Sequence, residues 1–181
     1  PLYLAAGTSY WRANDYRLIP ESGNWPQRIA GALPACMAAF PVDDPAQAEG
    51  YKQWRRANPI RLGKIFCYEW NDADAILTRS RAAMLLVAVA LGATIYAWSR
   101  RLWGRSGGMV SLATFVATPA MLAHGPIAQS DMCVTLFSLL ALGATWRMLL
   151  RPSISRAVVA GAVLAGALLS KHSALLLLPT F

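Results

Sequence analysis

The stretch HGPIAQSDMCVTLF, residues 124 to 137, places one carboxylate at the mouth of a long apolar run. Asp131 is the only acidic residue from Ala82 to Phe181, where seven Lys and Arg are found. Lys171 and His172 lie further along, Arg79 and Arg81 stand ahead of the apolar half, and NDYRLIPES contributes Asp15, Arg17 and Glu21. A carboxylate can serve as a general base, and Arg or Lys can stabilise charge on a phosphate without giving up a proton. An ionisable group at a membrane edge costs roughly a few kcal/mol unless it is paired or wet. Asp131 therefore has two readings: a functional carboxylate, or a structural ion pair with Lys171 or an arginine.

The elements that must position these groups follow from composition. The chain is 56% hydrophobic and 14% charged, with a mean hydropathy of +0.37, whereas a soluble domain has about a quarter of its residues charged. A mainly α polytopic membrane protein is expected. Crossing a bilayer takes about 20 mostly apolar residues. The segments 82–99 and 132–150 fit directly; 108–123 is shorter and bent at its end by Pro119, and 157–178 reads either as one helix broken near SKHS or as a short helix, 157–170, with another span starting at 173–181. Residues 1–81 hold eight of the nine acids and contain no clean span, so they read as a large loop on one face of the membrane.

Arginine placement orients the spans. SRRLWGRSGG and the segment from Arg147 through RPSISR carry six arginines and no acid, while HGPIAQSD has neither Lys nor Arg. Positive loops stay inside, and Trp98, Trp103 and Trp146 favour the headgroup layer at the same ends. Asp131, His124 and the 1–81 loop are thereby assigned to the outer, periplasmic or luminal, face. Lys171 lies about 22 Å of helical rise beyond Arg156, which brings it towards the level of Asp131. Arg79 and Arg81 on that face either snorkel to headgroups or contact an anionic phosphate.

Within the outer loop, WPQRIAGALPACMAAFP contains Arg28 and Pro34 and suggests a surface-lying helix or a hairpin. DDPAQAEGYKQWRRAN predicts a short amphipathic helix with Asp44 as N-cap, Pro45 in the first turn, Glu49 near the start, Lys52, Arg55 and Arg56 at the end, and Tyr51 and Trp54 as interface anchors. YEWNDADAIL carries another cap signal. Cys36, Cys67 and Cys133 match no metal spacing; a Cys36–Cys67 bridge and free buried thiols are both open. The +8 charge sits at span ends rather than on one soluble face, which speaks against nucleic acid. No Gly-rich phosphate loop, paired-histidine motif or internal repeat is present. Gly161 with Ala165 and Ala162 with Gly166 read as a close-packing stripe. The start at Pro1 and the end within ALLLLPTF suggest a piece of a longer chain.

Acids and bases gathered at a lipid surface suit transfer from a lipid phosphate. The main competing reading is a transporter or channel using Asp131 and Lys171 in an ion path, which predicts polar residues deeper inside several spans. A structural membrane subunit is a third.

The order AILTRSRAAMLL, RRLWGRSGG, ATPAMLAHGPIAQSD and RPSISRAVVAGAVLAGALLSKHSALLLLP resembles the membrane half of family 39-like glycosyltransferases of the GT-C superfamily. That group includes protein O-mannosyltransferases and bacterial enzymes using polyprenyl-phosphate sugars. The matching positions are Arg79 or Arg81, Gly104 with Arg105, Ala123-His124-Gly125, Gln129-Ser130-Asp131 and Lys171-His172-Ser173. The outer loop is similar too, through Asn14, Asp15, Tyr16, Arg17, Leu18, Pro20 and Glu21, but Ser22 to Pro26 replace the family's His-Pro-Pro.

The resemblance implies an integral membrane enzyme, in the inner membrane of a bacterium, that transfers a mannose-like sugar with inversion from a polyprenyl phosphate to a hydroxyl of a protein or lipid. Its partners are the donor, that acceptor and membrane lipids; sugar, acceptor and any divalent metal stay unspecified. The resemblance puts the acidic pair containing the base just ahead of Pro1, so the piece alone is expected to be inactive, with Asp15 as an alternative base. Asp131, Asp15 and Glu21 are the catalytic candidates. Arg17, Arg79, Arg81, Lys171 and His124 are the substrate or phosphate-binding candidates.

Overall fold

The computed structural model describes residues 1–20, 22–40 and 48–180. Among them all regular structure is helical: α1 (Leu2–Ala13), α2 (Asn24–Ala35), α3 (Ala48–Arg55), α4 (Pro59–Tyr68), α5 (Ala73–Ala117), α6 (Pro119–His124), α7 (Ser130–Leu150), α8 (Ile154–Ser170) and a 3₁₀ segment (His172–Thr180). The protein is a mainly α membrane protein. Helices α5 and α7 are long and apolar enough to cross a bilayer, and α8 is a shorter apolar helix. Their outward surface is oily: Leu86, Val89, Val110 and Val158 are each 65 to 72% exposed. Water would disfavour such a surface and lipid accepts it.

Helix α5 is two arms joined by a reversal. Trp103 leaves the helical region and Gly104 takes φ +72°, ψ −171°, a combination open in practice to glycine alone. The second arm then folds back: Gly92 faces Phe115 and Leu112, and Gly108 faces Tyr96 and Arg100. Thr118 ends that arm, and Pro119 begins α6, where its missing N–H costs nothing. The turn after Leu150 is closed by Ser153, which caps α8 by accepting from the Arg156 N–H at 3.4 Å, and returns α8 antiparallel along α7. Gly166 belongs to this seam, since an added Cβ would lie 2.5 Å from the Phe137 ring. Gly161 has open space around it, so only the Gly166 side of the small-residue stripe packs.

The described residues among 1–72 build a helical cap over one end of these spans. Helices α1 and α2 cross at glycines: a Cβ on Gly7 would sit 1.9 Å from the Gln27 carbonyl oxygen, and one on Gly31 2.5 Å from the Gly7 carbonyl carbon. Around the crossing lie Leu4, Tyr10, Ala30, Leu62 and Phe66, all buried. Arg12 at the end of α1 donates to the carbonyls of Ala35 at 2.6 Å and Ala38 at 3.1 Å, satisfying groups that the end of α2 leaves open. Asn58 caps α4 by accepting from Arg61 N–H. Asp72 caps α5, accepting from the N–H groups of Asp74 and Ala75 at 3.0 and 3.4 Å, as the YEWNDADAIL signal predicts. The segment expected as a surface helix or hairpin is the helix α2, with Pro34 in its last turn.

Trp54 departs from its reading as a membrane anchor. Its indole Nε1 donates to Ser9 Oγ at 3.1 Å and its ring meets Phe40 edge-on. The amphipathic helix α3 uses this aromatic side to pack on the cap, while Lys52 and Arg55 stay exposed. Asp44 and Pro45, read as the start of that helix, lie outside the described residues. Cys36 is exposed, Cys67 and Cys133 are buried, and all three are free; burial raises the Cys67 thiol above its ordinary pKa.

Candidate functional site

The carboxylate at the mouth of the apolar run is placed by the first turn of α7. There the unpaired N–H groups of the helix favour negative charge. Lys171 is the residue on which α8 stops: its φ −160°, ψ 131° are extended, and the 3₁₀ segment begins at His172. Because α7 and α8 run antiparallel, the start of one meets the end of the other. Lys171 Nζ donates to Asp131 Oδ1 at 2.8 Å. The pairing holds the Lys171 ammonium above its ordinary pKa, first through the hydrogen bond and then through the charge of Asp131. Both side chains remain about half exposed, 45% for Lys171 and 55% for Asp131, so the pair is wet and open to a ligand.

A cleft of about 430 Å³ surrounds the pair, completed by Tyr3, Ser22, Gln129, Ser130, His172 and Ser173. Tyr3 and Ser22 come from the cap, their hydroxyls 3.5 Å apart. Close docking makes this possible. Gly23 sits so near the end of α8 that a Cβ there would lie 2.2 Å from the Leu169 carbonyl oxygen. His124 joins from outside the lining, its Nδ1 3.3 Å from Oε1 of Gln129.

Two further cavities lie near the junction of the cap with the spans. The first shares Ser22 and His172 with the cleft and adds Tyr10, Tyr16 and Asn24. The second, about 810 Å³, shares Asn24 and Leu169 with the first and is walled by apolar residues such as Leu86, Leu136 and Phe137. Arg28 stands at its margin, stacked over Trp11 at 4.7 Å and donating to the Tyr16 hydroxyl at 2.9 Å. A polar cleft and an apolar groove are thus related through the residues of a third cavity.

Asp15 and Arg17 form a separate pair that does not line the cleft. Asn14 takes φ 50° to end α1, and the following turn lets Arg17 grip its neighbour. Nη2 lies 2.6 Å from Oδ2, Nε 2.9 Å from Oδ1, and the backbone N–H of Arg17 3.1 Å from Oδ1. These bonds hold the Asp15 carboxyl below its ordinary pKa against the opposing effect of burial. Arg17 also lies 5.9 Å from the Trp54 ring centre. A carboxylate held this way is a poor proton acceptor.

The remaining candidates are dispersed. Arg79 and Arg81 lie near the start of α5, half-buried and exposed, and neither lines the cleft. Glu21 lies outside the described residues. Among the described residues no group of three His, Cys, Asp or Glu is placed to hold a metal ion. Sequence reasoning missed Tyr3 and the stacked Arg28. The signal for Arg28 was present as a lone charge within an apolar stretch, but its partners come from α1 and the turn after it.

The family model for dolichyl-phosphate-mannose-protein mannosyltransferases matches residues 75–181, more than half of the chain. No curated protein and no solved structure matches it. The matched region runs from the first turn of α5 through the 3₁₀ segment, and so includes both members of the Asp131–Lys171 pair. On that match the chain belongs to the dolichyl-phosphate-mannose-protein mannosyltransferase family of membrane glycosyltransferases.

Proposed function

We propose that the protein serves transfer of a sugar from a polyprenyl phosphate to a hydroxyl of a protein or lipid acceptor, with inversion, at the outer face of a bacterial inner membrane. The observation that carries this reading is the relay of shared lining residues, Ser22 and His172 and then Asn24 and Leu169, that relates the Asp131–Lys171 cleft to the apolar groove beside α2. A donor of this class has a charged phosphate and a long hydrocarbon chain, and the protein offers a cleft with a cation and an oily groove to match them. Residues 1–81 form the outer loop and the spans follow it.

In this mechanism Lys171 stabilises the phosphate as it leaves, which requires positive charge but no proton transfer. Asp131 positions the Lys171 ammonium and keeps it charged. The hydroxyl proton passes to a carboxylate outside the two ion pairs, because Asp131 and Asp15 are both engaged by cations and a base must be free to accept. Arg79 and Arg81 add positive potential that draws the anionic donor to this face, and His124 orders Gln129 at the cleft edge. Glu21 is the remaining acidic candidate of the loop.

The test is sugar release from a polyprenyl-phosphate sugar by the intact protein in vesicles. Wild-type turnover with loss in Lys171→Met, in a variant that still inserts and melts normally, is expected. Unchanged turnover in that variant would remove Lys171 from the reaction.

A further inference from the structure

At the opposite end of the spans a second groove, about 830 Å³, opens between the first arm of α5, the end of α7 and the start of α8. Three arginines line it: Arg101, Arg147 and Arg156. No acidic residue is in its lining, and Asp131, the single acid of the membrane half, is about 24 Å away along α7. Arg156 donates to the carbonyl of Arg151. The side chains of Arg101 and Arg147 make no hydrogen bond or ion pair among the described residues, and both residues are exposed. Like charges lining one groove repel one another, and an anion bound between them would relieve that repulsion.

The rest of the lining narrows the identity of that anion. Leu102, Leu139, Val159 and Val163 make the walls apolar, and Trp98 and Trp146 stand beside the arginines, where amphipathic rings mark the headgroup layer. A free inorganic anion gains nothing from such walls. Basic pockets between membrane helices suit anionic lipid headgroups, with the chains lying along the helices. The volume falls within the range of about 300–1,000 Å³ usual for small-ligand sites.

We propose that this groove is a specific site for one anionic glycerophospholipid, its phosphate held by Arg101, Arg147 and Arg156 and an acyl chain lying against Leu139, Val159 and Val163. The site is independent of the sugar-transfer reading and lies at the other end of the same helices. Topology alone puts arginines in these loops; it does not turn three of them into one groove.

Native mass spectrometry of the full chain in mild detergent, with phosphatidylglycerol, phosphatidylcholine or inorganic phosphate added, tests it. A one-to-one phosphatidylglycerol adduct is expected, favoured over phosphatidylcholine by about tenfold or more. The double variant Arg101→Gln, Arg147→Gln should lose that preference. Arg105→Gln, in the same basic turn but outside the lining, should keep it. A photoactivatable phosphatidylglycerol should label peptides containing Trp98 or Trp146 in the unaltered protein, which keeps the test decisive if the double variant fails to insert. Equal retention of the two lipids, equal loss in Arg105→Gln, labelling confined to other helices, or displacement of phosphatidylglycerol by inorganic phosphate would each overturn the proposal.

Discussion

Lys171 and Asp131, forty residues apart in sequence, are joined at 2.8 Å by one hydrogen bond at the end of the α7–α8 pair. The bond exists because α7 begins where α8 stops. Both residues line the cleft, and both side chains are about half exposed.

Asp131→Asn keeps the shape and removes the charge. Turnover with a polyprenyl-phosphate sugar is expected to fall by about tenfold or more, as when a positioned charge partner is lost, while thermal stability changes little because the pair is half exposed. Turnover in vesicles and a melt in detergent measure the two separately. Lys171→Arg should recover part of the rate.

The raised pKa of Lys171 has a definite sign. Pairing favours the ammonium, so its contribution is complete below the ordinary value of 10.5 and is lost as pH rises through the higher folded value. At mildly alkaline pH the Lys171 amine should react more slowly with an amine-specific reagent than an unpaired lysine. Asp131→Asn should abolish that protection, as read by peptide mass spectrometry.

Asp15 titrates with the opposite sign. Its folded pKa is depressed by Arg17, so the stability it contributes is present above its ordinary value of 3.8 and disappears as pH falls through the lower folded value. Arg17→Gln should remove this acid-side dependence from the melting curve. If it also leaves sugar transfer intact, Asp15 and Arg17 serve the fold of the loop rather than the reaction.

Gly31→Ala should disrupt the cap, because its Cβ would lie 2.5 Å from backbone and neither helix can yield without moving. A loss of about 1–3 kcal/mol is expected from such overpacking, measured by thermal or denaturant unfolding. Gly161→Ala has open space and should be neutral or slightly stabilising, by at most about 1 kcal/mol from helix propensity.

Gly104→Ala separates conformation from space. Nothing lies within 4 Å of the added Cβ, yet φ +72° with ψ −171° is foreign to an L side chain. A cost of about 1–3 kcal/mol is expected, together with splaying of the two arms of α5. Cross-linking of cysteines placed at positions 92 and 112 would fall relative to the parent pair.

Features that depend on a segment's own residues were legible without coordinates. Hydropathy marked the chain as mainly helical and membrane-bound, YEWNDADAIL announced a cap, and helical rise alone brought Lys171 towards Asp131. Trp54 shows the limit: an exposed anchor and a packed aromatic look alike in sequence, and only Ser9 and Phe40 decide between them. Tyr3 was likewise an ordinary apolar-run residue until the cap docked through Gly23 on the end of α8.

Transfer free energy, capping and charge bias act within a few residues, so the chain alone determined a helical membrane protein, with the six arginines of its two basic loops set apart from the membrane half's one carboxylate. Which groups meet depends on contacts between segments far apart in sequence. The tertiary structure therefore decided that Lys171 closes on Asp131, that Asp15 is spent on Arg17, and that three arginines share one groove.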